Sequence, residues 1–232
     1  MNKIKLINKL KLRKYRDEMG LFIVEGDKLI EEIPKDLIEF VVNVDDIGER
    51  EFNKLSELTT PQSAIAVCHK PNIGTRGKGQ GASSDNLNGY SLNTKLAIAL
   101  DRIQDPNNVG AILRTAAAAG VKDIVILEGT ADPFSPKSIR ASMGAIFHLN
   151  LITMSEEELI NTDFKLIAAH IEGTNYRELE LPKKSVLILG NEGQGVSKKL
   201  LEVSTKVNIP IQNVESLNVN AAAAILIFHF AT

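Results

Sequence analysis

The chain has a single cysteine, Cys68, so it can form no internal disulfide. Its four histidines are spread along the sequence and build no Cys/His cluster of the kind that holds zinc. No run approaches the roughly 20 apolar residues that a membrane helix needs. The first residues, MNKIKLINKLKLRKYRDE, never give the apolar core of a secretory signal. A reduced, cytoplasmic protein with no metal and no membrane partner is expected from these absences. Net positive charge is also missing: the balance is −2 and the pI about 6.1, which taken alone disfavours a nucleic-acid partner. Two phosphate-binding signatures do not occur. There is no GxxxxGK[ST], which excludes a P-loop. The first strand–helix turn reads NNVGAILR, and the glycines of GNEGQG fall at 190, 193 and 195. Neither is GxGxxG, which disfavours a nicotinamide-dependent oxidoreductase.

What is present is ordinary in bulk and uneven in detail. The 232 residues are 44% hydrophobic and 24% charged, enough for one large domain or two small ones. Residues 1–20 hold seven basic and two acidic side chains, whereas residues 21–72 hold five basic and eleven acidic. A basic arm therefore precedes an acidic body. Ile4, Leu6, Ile7 and Leu10 recur at helical spacing between lysines, and LFIVEG, IEFVVNV and AIAVC read as strands. Residues 73–94 are rich in Gly, Ser and Asn and read as a linker.

From residue 95 the pattern is regular. Strands are expected at 96–100, 123–127, 149–154, 165–171, 185–190 and 206–211. Helices are expected at 109–119, 137–147 and 197–203, with another opening at the Ser155 cap and the last from Leu217. Apolar strands alternating with helices predict an α/β fold with a mainly parallel sheet covered on both faces. Ligands of such sheets bind beyond the carboxyl ends of the strands. Asn108, Arg114, Arg140, Glu192, Ser216 and Asn218 all fall at such ends. Each also has a plain structural reading: Asn108 and Ser216 as helix caps, Arg114 and Arg140 as solvated helix residues, Glu192 as a turn acid. The orphan N–H groups at the last helix could meet a carboxylate, an adenine edge or a phosphate.

DPNNVGAILRTAAAAGV, SPKSIRASMGAIF, LILGNEGQGVS and IPIQNVESLNVNAAAAI occur in this order and together resemble the motifs of the SpoU/TrmH family. KLKLRKYRDEMGLFIVEGDKLIEEI with TTPQSAIAV resembles the substrate-binding domain of its rRNA-directed branch. The resemblance implies a SPOUT-type methyltransferase domain over 95–232 with a C-terminal deep trefoil knot. It also implies a shortened, ribosomal-protein-like RNA-binding domain over 1–72, the linker at 73–94, and a homodimer that completes the site across its interface. The implied activity is transfer of a methyl group from S-adenosyl-L-methionine (SAM) to an RNA ribose 2′-hydroxyl, with 23S rRNA guanosine as the target. A tRNA-directed enzyme and a non-catalytic RNA-binding protein are the alternatives.

By motif position, Asn108, Arg114, Glu192, Ser216 and Asn218 are the implied catalytic set. Leu189, Gly190, Gly193, Ile209, Pro210 and Leu217 are the implied SAM-binding set. Lys11, Arg13, Lys14, Arg16, Arg140 and Ser142 are the expected RNA contacts. Arginine is never deprotonated in proteins, so Arg114 is expected to act as an electrostatic clamp, with Glu192 orienting it or taking the proton. Asn220 stands where the family has a serine, and the chain between Ile33 and Thr59 is shorter than usual.

Overall fold

In the computed structural model, which describes residues 2–71 and 95–231, the chain opens with helices α1 (Lys3–Leu10) and α2 (Arg13–Met19). Leu6, Ile7 and Leu10 form the buried stripe of α1, while Lys3, Lys5 and Lys9 stay exposed. Next come β1 (Leu21–Glu25), α3 (Asp27–Glu31), β2 (Ile38–Asn43), α4 (Val44–Ile47), α5 (Glu49–Leu55) and β3 (Ala64–His69). β3 lies between β1 and β2 and is antiparallel to both.

Successive side chains of a strand point to opposite faces. Ile23, Val42, Ile65 and Val67 pack with Leu6, Leu10 and Phe52 from the helices of this half. Phe22, Val24, Ala66 and Cys68 point the other way, into a core shared with the second half of the chain. There the Phe22 ring centroid lies 5.1 Å from that of Phe134. LFIV and AIAVC are apolar at every position because both faces of this sheet are covered.

The second half contains β4 (Leu96–Asp101), α6 (Pro106–Ala118), β5 (Asp123–Leu127), α7 (Pro136–Ser142), β6 (Asn150–Met154) and α8 (Glu156–Ile160). It continues through β7 (Lys165–Asn175), β8 (Ser185–Gly190), α9 (Lys198–Val203), β9 (Thr205–Asn208) and α10 (Val219–Ala231). The six strands pair in the order β6-β5-β4-β8-β7-β9, every pair parallel. Ile98, Leu100, Leu187 and Leu189 face α6 and α10, and Ala97, Ala99, Val186 and Ile188 face α8 and α9. The α/β, mainly parallel expectation holds. No helix among the described residues is long and apolar enough to cross a membrane.

Several boundaries differ from the sequence reading. α6 starts at Pro106, with Asp105 as its cap, so Asn108 sits inside the first turn rather than at the N-cap. The helix expected over 137–147 stops at Ser142, because Met143 and Gly144 adopt positive φ (50° and 84°). A 3-10 turn then covers Ala145–His148. α6 and α7 meet closely at Gly110, where an added Cβ would lie 2.4 Å from the Ser138 carbonyl oxygen. The segment expected as a linker, 73–94, lies outside the described residues.

The two halves are also joined by an ion pair. Arg16 was expected to touch RNA, yet it is only 3% exposed. Its Nε donates to Asp132 Oδ2 at 2.7 Å, its Nη2 lies 2.7 Å from the same oxygen, and its Nη1 donates to the Leu10 and Lys11 carbonyls. An arginine this buried, with four of its five N–H donors engaged by a buried carboxylate and two helix-end carbonyls, is out of reach of a phosphate.

Candidate active site

The chain builds outward from β4 through β5 and β6 on one side, while β7, β8 and β9 lie on the other. The order therefore reverses between β4 and β8, which is where open α/β sheets leave a crevice. A cavity of about 390 Å3 lies on the β8 side of that crevice. Leu189, Gly190 and Gly193 line it from the end of β8 and its turn, Ile209 from the segment after β9, and Leu217 from the approach to α10. These are five of the six residues expected to bind cofactor. Pro210, the sixth, is exposed and is not among the lining residues. Glycine is required at 190, because an added Cβ would lie 2.1 Å from the Val196 backbone nitrogen. The turn that folds back over the strand end could not otherwise close.

A polar cluster sits beside the cavity. Glu192, which also lines it, reaches the N-terminus of α6. Its carboxylate accepts from Asn108 Nδ2 at 2.8 Å and from the backbone N–H groups of Gln104 (3.2 Å) and Asp105 (3.3 Å). Partial burial raises its proton affinity, but the Asn108 amide and the backbone donors outweigh that and hold its pKa below the usual glutamate value. Glu192 is therefore a carboxylate at neutral pH and a weakened base. Asn108 is itself nearly buried, and its Oδ1 accepts from Asn220 Nδ2 at 2.6 Å. Three side chains from three elements thus form one relay: Asn220, Asn108, Glu192. Asn220 was visible in the sequence only as a departure from a motif; its bond to Asn108 was not.

The remaining candidates separate. Arg114 is exposed on α6, and no hydrogen bond or ion pair joins it to Glu192 among the described residues. Within one chain the expected Arg114–Glu192 contact is not made, because Glu192 is already committed to the end of the same helix. Ser216 lines the cavity but is not a cap; α10 begins at Val219, and Asn218 Oδ1 accepts from the Asn220 N–H at 2.8 Å. Lys11, Arg13 and Lys14 remain at or near the surface, with Arg13 Nη1 donating to the Thr130 carbonyl at 3.4 Å. Arg140 is half-buried and its Nη1 has no acceptor. Ser142 is fully buried and donates to the Ile139 carbonyl at 2.8 Å, so it presents nothing to RNA. No group of three or more His, Cys, Asp or Glu side chains among the described residues could hold a metal ion.

Comparison with known proteins shows the family. The SpoU rRNA Methylase family profile matches residues 95–228, and the MRM3-like substrate binding domain profile matches residues 1–44. The chain is 32% identical to the 23S rRNA (guanosine(2553)-2′-O)-methyltransferase RlmP of Bacillus subtilis, over 98% of this chain and 95% of that protein. Among solved structures, a Porphyromonas gingivalis protein described as an RNA methyltransferase of the TrmH family superposes with a TM-score of 0.84. It shares 31% identity, over 99% of this chain and 96% of that one. An AdoMet-bound rRNA methyltransferase from Sinorhizobium meliloti superposes with a TM-score of 0.79 at 27% identity, over 98% and 94%. With its sheet order, its crevice at the β4/β8 reversal and these matches along its length, the chain belongs to the SpoU rRNA methylase family.

Proposed function

We propose that the protein transfers a methyl group from SAM to a ribose 2′-hydroxyl of RNA, with a guanosine of large-subunit rRNA as the target. The observation that carries this reading is the cavity at the β4/β8 reversal, roofed by a glycine turn and edged by the Asn108–Glu192 pair. Its volume of about 390 Å3 suits a small cofactor, and Leu189, Gly190, Gly193, Ile209 and Leu217, which line it, are the residues that would hold one. When bound there, SAM supplies the electrophilic methyl group.

The protein's own residues have to orient the acceptor. A ribose hydroxyl is a poor nucleophile, and holding it within about 3–3.5 Å of the methyl carbon supplies much of the rate. Asn108, fixed from both sides by Glu192 and Asn220, provides a rigid polar wall at that point. Arg114 is a permanently charged fork suited to stabilising the developing alkoxide or an adjacent phosphate. Since it does not meet Glu192 within one chain, Arg114 is assigned to the pocket of a partner protomer in a homodimer. α10 supports that assembly: it is apolar nearly all round, yet Phe228 is 45% exposed, and such a helix is normally buried. Sedimentation at twice the chain mass is expected, and a monomer at micromolar concentration would remove Arg114 from the mechanism.

The finer features of the fold belong to the same proposal. After the edge strand β9 the chain returns to the middle of the sheet, where α10 packs on α6 and β8. This return supports the deep trefoil knot assigned to the C-terminal segment, which further needs the chain to thread a loop. Residues 1–72 are assigned as a small ribosomal-protein-like RNA-binding domain, 73–94 as its linker and 95–232 as the methyltransferase domain. RNA is gripped by Lys11, Arg13 and Lys14 at or near the surface and by the half-buried Arg140, so binding weakens steeply with salt. The protein is assigned to the cytoplasm as part of the same reading. Tritiated SAM with total RNA from a strain lacking this protein should label one large-subunit rRNA ribose. Label confined to tRNA would refute the target, and no label in any RNA would refute the activity.

A further inference from the structure

We infer that Arg102 is a positioning residue for the cofactor pocket: it clamps the 191–195 turn to the buried end of β4. The inference rests on the cofactor reading above.

Arg102 follows β4 directly and has φ of 55°, a left-handed conformation that L side chains rarely adopt. Such outliers persist where the surroundings over-determine them. Here the surroundings are four hydrogen bonds from one guanidinium. Nε donates to Asp101 Oδ1 at 2.9 Å and Nη2 to Asp101 Oδ2 at 3.1 Å. Nη1 donates to Gln194 Oε1 at 2.9 Å, and Nη2 to the Gly195 carbonyl at 3.0 Å. Asp101 is fully buried and also accepts from the Ser197 N–H at 2.7 Å, where α9 begins. The Arg102 carbonyl in turn accepts from Asn191 Nδ2 at 2.9 Å.

Both ends of the turn are therefore tied to this one residue. Asn191 and Gly195 close the turn by exchanging backbone hydrogen bonds of 3.1 and 2.9 Å. Glu192 and Gly193 lie between them and line the cavity, which Arg102 itself does not. Arg102 thus acts through the turn. Its planar fork meets a carboxylate on one side and two turn oxygens on the other, a geometry that a lysine cannot reproduce.

The test compares the full-length protein with Arg102→Lys, Gln194→Ala and the double variant. SAM binding is followed by calorimetry, and amide exchange of residues 191–196 is followed without SAM. Arg102→Lys keeps a charge beside Asp101 but loses the fork. SAM affinity should fall about tenfold, the worth of roughly 1.4 kcal/mol or one net hydrogen bond. KM for SAM should rise in step while kcat changes far less, and exchange in the turn should accelerate. Adding Gln194→Ala should cost little more, because both changes break one clamp. Wild-type affinity in Arg102→Lys, unchanged exchange, or additive losses would overturn the inference. Should Arg102→Lys fail to fold, Gln194→Ala removes one arm with the ion pair intact, and unchanged SAM affinity there would overturn it equally. A wild-type protein that does not bind SAM overturns the cofactor reading, and the exchange measurement still decides whether Arg102 holds the turn.

Discussion

Replacing Arg16 by alanine separates its two possible roles, RNA ligand and internal clamp. Arg16 is 3% and Asp132 8% exposed, and two guanidinium nitrogens lie 2.7 Å from one Asp132 oxygen. Removing one partner of such a pair strands the other charge in the interior and costs about 3–5 kcal/mol. The Leu10 and Lys11 carbonyls lose their donor as well. For a chain of this length each kcal/mol moves Tm by about 2–4 °C. Arg16→Ala should therefore melt roughly 10 °C below the wild type, as followed by far-UV circular dichroism. Arg16→Met combined with Asp132→Asn should recover most of that loss. It removes both charges yet keeps an acceptor for the Phe134 N–H, which Asp132 Oδ1 now accepts at 2.8 Å. In RNA binding, the double variant should keep the wild-type salt dependence, since losing one phosphate contact would lower the log–log slope by about 0.7–0.9. A Tm within about 1 °C of wild type in Arg16→Ala, or a slope reduced by that amount in the double variant, would refute the reasoning.

Arg114→Lys should leave Tm within about 1 °C, because the side chain is exposed, while methyl transfer falls at least about tenfold through loss of the fork; near wild-type turnover would exclude the clamp. Gly190→Ala should abolish SAM binding in calorimetry, since its Cβ would lie 2.1 Å from the Val196 nitrogen; unaltered affinity would show that the turn can move aside. Glu192 has a folded pKa below its unfolded value, so its contribution to stability is complete above the unfolded value near 4.3. That contribution fades as pH falls through the lower folded value. Glu192→Gln should thus be less stable than wild type from pH 5 upward and converge with it in stronger acid, and a difference that grew on acidification would contradict the assigned hydrogen bonds. Asn220→Ala should free Asn108 and lower kcat more than SAM affinity, whereas equal kcat would remove Asn220 from the relay.

Amino-acid order alone determined the elements that bury apolar runs. The strands of the parallel sheet and the buried stripe of α1 were legible because burial on both faces, or on one helical face, leaves a period that local sequence records. The placement of Gly190, Glu192 and Asn108 at strand ends was legible for the same reason: sheet topology fixes where those ends are. Which partners these side chains take was not legible. Asn108 meets Glu192 across 84 positions and Asn220 across 112, contacts created only when β8 and α10 return to α6. The same return commits Glu192 to the α6 terminus, while Arg114 stays exposed. Arg16 reads as one more charge in a basic arm until the second half of the chain brings Asp132 to it. Arg102 carries no signal at all, because its function depends on a backbone angle and on two oxygens more than ninety residues distant. Local pattern encodes burial, whereas charge pairing and active-site geometry are settled by which distant segments the tertiary fold brings within hydrogen-bond reach.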